Sequence, residues 1–259
     1  MMTTCNPQII IYGDCWPVTC ATEHTIRGIL PESRCETIFG LTGLLRGLNR
    51  SPEALLILCL RPREHIFLFY ALKNALLYHP ALVISDELLF SDRVVLHSYG
   101  GIPAVLHGEL ADTVSRVHQG KTPSPANDRL AGFLRTPTPA TGYFAIPLIF
   151  HHPARLMNYM SLLMHRATIS CGLTPAQQKL LLEVHRGRYR LSDMTDILNS
   201  GKKKIWQDKD QLLMKLGMRN RLRELLYGTR FCLDEQRTRF ISPDRTEPLP
   251  RNRLSRGFQ

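Results

Sequence analysis

The sequence predicts an α/β doubly wound domain followed by a smaller all-α domain, and three observations carry that expectation. Five short apolar runs alternate with stretches of helical length over residues 8–110. Beyond Leu173 the pattern changes to capped segments with apolar residues three and four apart. The charge changes at the same place. Of a formal net charge of +11, 19 Lys/Arg against 10 Asp/Glu fall from Leu173 onward, and 14 against 12 before it. A near-neutral unit joined to a strongly basic one is expected when one domain alone meets a polyanion, although a solvated basic surface with a charged tail has the same composition.

The first apolar run, residues 8–12, is a buried strand that ends at Gly13-Asp14. Runs at 36–39, 54–60, 81–85 and 104–107 follow, the third stopped by Arg61-Pro62. Helical stretches at 18–30, 42–49, 64–78 and 92–99 lie between them. Strands this short and apolar, alternating with helices, make a parallel sheet covered on both faces. Residues 1–115 are expected to form this domain.

Residues 116–153 are expected to be a linker, because the six prolines from Pro123 to Pro153 block long helices. Leu156, Met160, Leu163 and Met164 then follow helical spacing and predict an amphipathic helix at the head of a helical domain over 154–228. Their stripe is either plain core or a dimer seam, since methionine-rich faces adapt to partners. The basic tail, 229–259, has little periodicity and is expected to lack order.

Inside the helical domain the start and stop signals are local. Thr174, Pro175 and Gln177 stand at the N-cap, first and third helical positions. Leu180, Leu181 and Val184 form a stripe, and Gly187 can close the helix. Ser192 can cap the next segment, where Met194, Ile197 and Leu198 face inward. Asn199-Ser200-Gly201 is a turn, after which Ile205, Leu212, Leu213 and Leu216 keep helical spacing. Lys202, Lys203, Lys204, Trp206, Gln207 and Lys209 lie mainly toward solvent. A helix, a turn and a second helix with a basic face can enter the major groove; the same pattern also suits a plain bundle with a solvated face. If the face meets DNA, the three lysines lie at a helix start, where backbone N–H groups also favour phosphate. Trp206, Gln207 and Lys209 then read the groove, and Gln207 can pair bidentately with adenine.

Leu173-Thr174-Pro175, Gly187 and above all Met214-Lys215-Leu216-Gly217-Met218-Arg219-Asn220-Arg221 resemble the C-terminal domain of LuxR/NarL/FixJ-type transcription regulators over residues 173–227. The resemblance implies a four-helix domain with a DNA-binding helix-turn-helix, with Arg219, Asn220 and Arg221 toward the DNA backbone. It also implies dimers on near-palindromic promoter sites, either homodimers or heterodimers with a related response regulator. Two features depart from the family. The turn is Asn199-Ser200-Gly201, and Trp206, Asp208 and Asp210 stand where lysine, histidine or small polar residues are common.

The N-terminal pattern resembles a receiver domain. A working receiver needs an acidic pair after its first strand, an aspartate acceptor after the third, a hydroxyl after the fourth and a lysine after the fifth. The matching positions hold Asp14 with no second acid, Leu58, Ser85 and His107. This degenerate pocket has no carboxylate to accept a phosphoryl group. The expected domain is therefore a pseudo-receiver used for docking and dimerisation, with Asp14 a turn residue and Ser85 a strand-end hydroxyl.

No apolar stretch is long enough to span a membrane and no secretory signal is evident, so a cytoplasmic protein is expected. Seven cysteines without a CxxC pair fit reduced thiols better than a disulfide or zinc framework. No P-loop, GxGxxG or nucleophile-elbow motif occurs, and His151-His152 has no further ligands at suitable spacing, so no enzyme, metal or cofactor is expected. The reading is a sequence-specific transcription regulator that acts as a dimer without phosphorylation. The alternative is a protein-interaction adaptor that kept the fold but lost DNA affinity through Asp208 and Asp210.

Overall fold

A computed structural model describes residues 7–121, 124–146, 149–187, 191–219 and 222–242, with the side chains of Leu191, Ser192, Leu222 and Arg223 left aside. The five apolar runs form β1 (Gln8–Gly13), β2 (Arg34–Ile38), β3 (Leu55–Cys59), β4 (Ala81–Ser85) and β5 (Ala104–Leu106). All pair in parallel in the order β2-β1-β3-β4-β5. This is a doubly wound order, with the chain reversing direction between β1 and β3.

Alternation along the strands divides the core in two. Ile10, Tyr12, Leu56, Leu58 and Val83 face α2 (Leu41–Arg50), α3 (Ile66–Leu72) and α4 (Phe90–Ser98). Ile9, Ile11, Ile57, Cys59 and Ile84 face α1 (Trp16–Ile29) and α5 (His107–His118). The stretch expected as one helix over 64–78 is three short pieces, with 3-10 turns at Pro62–Glu64 and Ala75–Leu77 flanking α3.

The expected linker contains regular structure. Its first residues complete α5, and α6 (Arg129–Arg135) follows. Asp128 caps α6 by accepting the Ala131 N–H at 3.0 Å, and it also accepts the Thr113 hydroxyl at 2.5 Å. Leu130, Ala131, Phe133 and Leu134 then bury themselves under the sheet. Proline density signalled where helices stop, but an apolar run between prolines still had a face to dock.

α7 (Pro153–Ser170) resolves the choice between core and seam. Leu156 and Met160 are fully buried in the α2–α4 side of the sheet core, and Met164 is buried in the core of the helical unit. The methionine stripe is thus internal. The helical unit continues through α8 (Pro175–His185), α9 (Leu191–Leu198), α10 (Lys202–Lys215) and α11 (Leu222–Gly228). Its core takes in Phe90 and Val94 of α4, so α4 and α7 belong to both cores.

A buried ion pair sets the position of α4. The Arg63 guanidinium donates to Asp92 at 2.6 Å, and the Arg63 backbone N–H donates to the other carboxylate oxygen at 2.9 Å. Asp92 also accepts the Leu89 N–H at 2.8 Å, at the start of α4. The side chains are 4% and 0% exposed. Arg63 reaches Glu87 as well.

The tail differs from expectation most. Thr229 bonds His185 and Leu225 of the helical unit, and residues 236–240 lie against the α/β unit, with Phe240 stacked on Tyr70 and edge-on to Phe67. Its contacts are made through isolated polar and aromatic side chains, which leave no periodic trace in a sequence.

Asp92→Ala leaves Arg63 buried without its main counter-charge, and urea unfolding should show a loss of about 3–5 kcal/mol. A loss within 1 kcal/mol would mean that the pair does not organise the fold.

Candidate functional site

The helix starts and stops of the basic unit follow the local chemistry. Thr174 accepts the Gln177 N–H at 3.3 Å while the Gln177 side chain accepts the Thr174 N–H at 3.1 Å, a reciprocal cap with Pro175 between them. Asn199 adopts a positive φ of 47° in the turn before α10, a conformation asparagine tolerates better than most residues. At the other end of α10, the Met218 N–H bonds the Leu213 carbonyl and the Gly217 N–H bonds the Met214 carbonyl, each at 2.9 Å. Gly217 has a φ of 58°, so glycine is needed for this stop.

The inner face of α10 is closed by Ile205, Leu212, Leu213 and, just past its end, Leu216, all buried. The outer face begins with Lys202, Lys203 and Lys204, all exposed. Asp208 is turned inward and buried, and Lys204 reaches it at 3.2 Å. Trp206 is 50% exposed, and the Lys209 ammonium lies 3.7 Å from the centre of its ring. That contact leaves the Lys209 side chain only 17% exposed, and its ammonium is also 3.8 Å from Asp210. Gln207 and Arg219 are exposed. Asn220 and Arg221 lie outside the described residues. Lys215 is used structurally, donating to the Gly172 carbonyl and the Gln177 side chain.

One contact here was not foreseen. Arg93 of α4 donates to the Leu216 and Gly217 carbonyls, where the end of α10 carries partial negative charge. The end of the candidate recognition helix is therefore held by the α/β unit.

The degenerate pocket is a cavity of about 200 Å³ at the carboxyl ends of the strands, lined by Asp14, Cys59, Arg61, Ser85, Asp86, His107 and Arg237 among others. Leu58 does not line it. Strand alternation sends Leu58 into the opposite core and brings Cys59 to the pocket, so Cys59 and not the expected Leu58 stands at the acceptor position. Counting alternate positions along β3 would have found Cys59. Neither residue is a carboxylate. Ser85 donates to the Glu87 carbonyl at 2.8 Å. Asp14 is more than a turn residue: it accepts from His65 at 3.2 Å and from Arg237 at 2.6 Å.

The remaining acids are paired as well. Asp86 accepts the Arg61 Nε at 2.8 Å and Arg61 meets Glu64 at 3.1 Å, while Arg237 meets Glu64 at 2.7 Å. The His65 hydrogen bond holds the Asp14 carboxyl below its ordinary range, with Arg237 adding to this and burial opposing it. The Arg61 hydrogen bond lowers Asp86 to about 2, and burial pushes the Cys59 thiol up to about 12. Among the described residues no cluster of three His, Cys, Asp or Glu side chains is poised to hold a metal ion.

No protein-family model and no curated protein matches the sequence. Among solved structures, RcsB of Salmonella enterica serovar Typhimurium bound to promoter P1flhDC with phosphomimetic BeF3- is similar at 18% identity and a TM-score of 0.47, covering 86% of this chain and 98% of that one. The same protein bound to promoter rprA gives 18%, 0.45, 86% and 98%. The response regulator StyR gives 16%, 0.32, 86% and 97%. Likenesses this distant carry no functional conclusion.

Two outcomes check the pocket. The Asp86 carboxyl is depressed by folding, so its pairing stabilises the fold above the ordinary carboxylate range and is lost as pH falls toward about 2. The stability gap between wild type and Asp86→Asn should accordingly close over that acid window and stay constant near neutrality. At pH 8, iodoacetamide should modify the exposed Cys15 and spare Cys59 until the chain is unfolded, as read by mass spectrometry.

Proposed function

We propose that this chain is a cytoplasmic, sequence-specific transcription regulator of the LuxR type, with α9, the turn at 199–201 and α10 as its helix-turn-helix. It acts as a homodimer or as a heterodimer with a related response regulator. The α/β unit is a pseudo-receiver, a docking and dimerisation domain that does not take a phosphoryl group.

One observation carries the reading. Lys202, Lys203 and Lys204 stand exposed on the first turn of α10, and no acidic residue shares that turn. Cations at a helix start oppose the helix dipole, at a cost of roughly 0.3–1 kcal/mol each. An arrangement unfavourable to the free helix becomes favourable against a polyanion, because the lysines and the unpaired N–H groups then face the same phosphates. Trp206 and Gln207 project on the exposed side of the same helix and are the candidates for base contact. Arg219 is exposed beyond the helix end and is assigned to the DNA backbone with Asn220 and Arg221. The adaptor reading relied on Asp208 and Asp210 repelling phosphate; Asp208 is buried and paired with Lys204, while Asp210 stays half-exposed with the Lys209 ammonium 3.8 Å away to offset its charge.

Lack of phosphorylation is supported by side-chain chemistry. Neither Leu58 nor Cys59 offers a carboxylate, Ser85 is engaged, and Asp14 already pairs with Arg237 and hydrogen-bonds His65.

In gel-shift titrations on promoter fragments the wild type should give a specific band whose log affinity falls steeply with log salt. Lys203→Ala with Lys204→Ala should reduce that slope by about 1–2. An unchanged slope would move the contact surface elsewhere, and no specific band on any fragment would reject the reading. Acetyl phosphate with Mg²⁺ should leave no acyl phosphate within residues 1–110, as read by intact-mass analysis. Its detection would overturn the pseudo-receiver assignment.

A further inference from the structure

In a doubly wound sheet the carboxyl ends of the strands, at the point where the strand order reverses, are the place for a ligand. Here that point lies between Asp14 after β1 and Cys59 at the end of β3, and Arg237 of the chain's own C-terminal segment lines the cavity there. We propose that residues 236–240 are a built-in strap. The surface made by Asp14, Glu64, His65, Phe67 and Tyr70 is its docking site, and the strap fastens the helical unit to the α/β unit in one orientation without phosphorylation.

Each strap residue on which the assignment rests has its own partner on the loop after β3 or on α3. The Gln236 side chain accepts the Ile66 N–H at 2.9 Å, satisfying a donor at the start of α3 that has no partner within the helix, and it donates to the Arg63 carbonyl at 2.8 Å. The Arg237 N–H donates to the Glu64 carbonyl at 2.9 Å. Its guanidinium meets Asp14 at 2.6 Å and Glu64 at 2.7 Å. Thr238 bonds one ring nitrogen of His65 at 2.8 Å while the other ring nitrogen meets Asp14 at 3.2 Å, so the strap and the loop after β1 are joined through one buried imidazole. Phe240 supplies the apolar anchor, 5.9 Å from the Tyr70 ring centre and 5.4 Å from that of Phe67.

The geometry distinguishes a fastening from a loose tail. The strap leaves α11, which is held to α4 where Ser91 donates to the Tyr227 carbonyl at 3.2 Å. It then returns to the loop that Arg63 and Asp92 tie to the same helix. The helical unit is therefore attached at two places, directly to α4 and to the loop that is tied to α4. Arg237, like Arg61, is a permanent cation lining the pocket, and it is paired with the carboxylate after β1 that a metal-dependent switch would use to hold its ion. Lys202, Lys203 and Lys204 remain exposed in this arrangement, so the strap holds the basic face of α10 open and does not cover it.

Hydrogen exchange of the full-length protein without DNA tests the strap and is independent of whether α10 binds a duplex. Arg237→Gln with Phe240→Ala should speed exchange at the Arg237 and Ile66 amides at least tenfold. Exchange in α11 at the α4 seam should rise by a similar factor, while β3 and α10 stay unchanged. Two results overturn the proposal: random-coil exchange over residues 236–240 in the wild type, or strap release that leaves α11 as protected as before. Should the double variant fail to fold, Arg237→Gln alone replaces it, read at the same amides, and an unchanged rate there is likewise fatal.

Discussion

Burying an arginine beside an aspartate costs more than it returns unless their hydrogen-bonding positions are filled, and the Arg63–Asp92 pair meets that condition with two backbone N–H groups and Glu87. The rest of the molecule is organised around that constraint. On one side, α4 is held with Phe90 and Val94 in the helical core and Arg93 at the end of α10. On the other, the adjoining Glu64 and His65 are presented to Arg237 and Thr238. One pair thus orients both attachments between the two units.

The same economy of charge explains what became of the strand ends. Asp14, Glu64 and Asp86 stand where a doubly wound sheet offers carboxylates to a ligand, and each is matched by a side chain of the chain itself. Pairing lowers the pKa of Asp14 and Asp86, which keeps them ionised and attached to their partners.

On α10 the aromatic and acidic residues that break the family pattern turn out to be arranged with consequence. Asp208 faces inward and takes a salt bridge from Lys204. Trp206 faces outward and holds Lys209 against its ring, giving one broad, flat, cationic element in place of two separate side chains.

The sequence by itself determined the elements: five strands from their apolar runs, the reciprocal cap at Thr174 and Gln177, and the stop at Gly187. These depend on backbone geometry and on neighbours within four residues, so they are written locally. It also located the basic face of α10, because helical spacing separates Lys202, Lys203 and Lys204 from Ile205 and Leu212. Only the tertiary structure decided that Cys59 rather than Leu58 lines the pocket, that α6 docks between prolines, that the methionines of α7 are internal, and that Arg237 meets Asp14 across 223 positions of chain. Those outcomes depend on which surfaces meet after the chain has folded. A single guanidinium, phenyl ring or amide making such a meeting has no period and no motif by which it could be read beforehand.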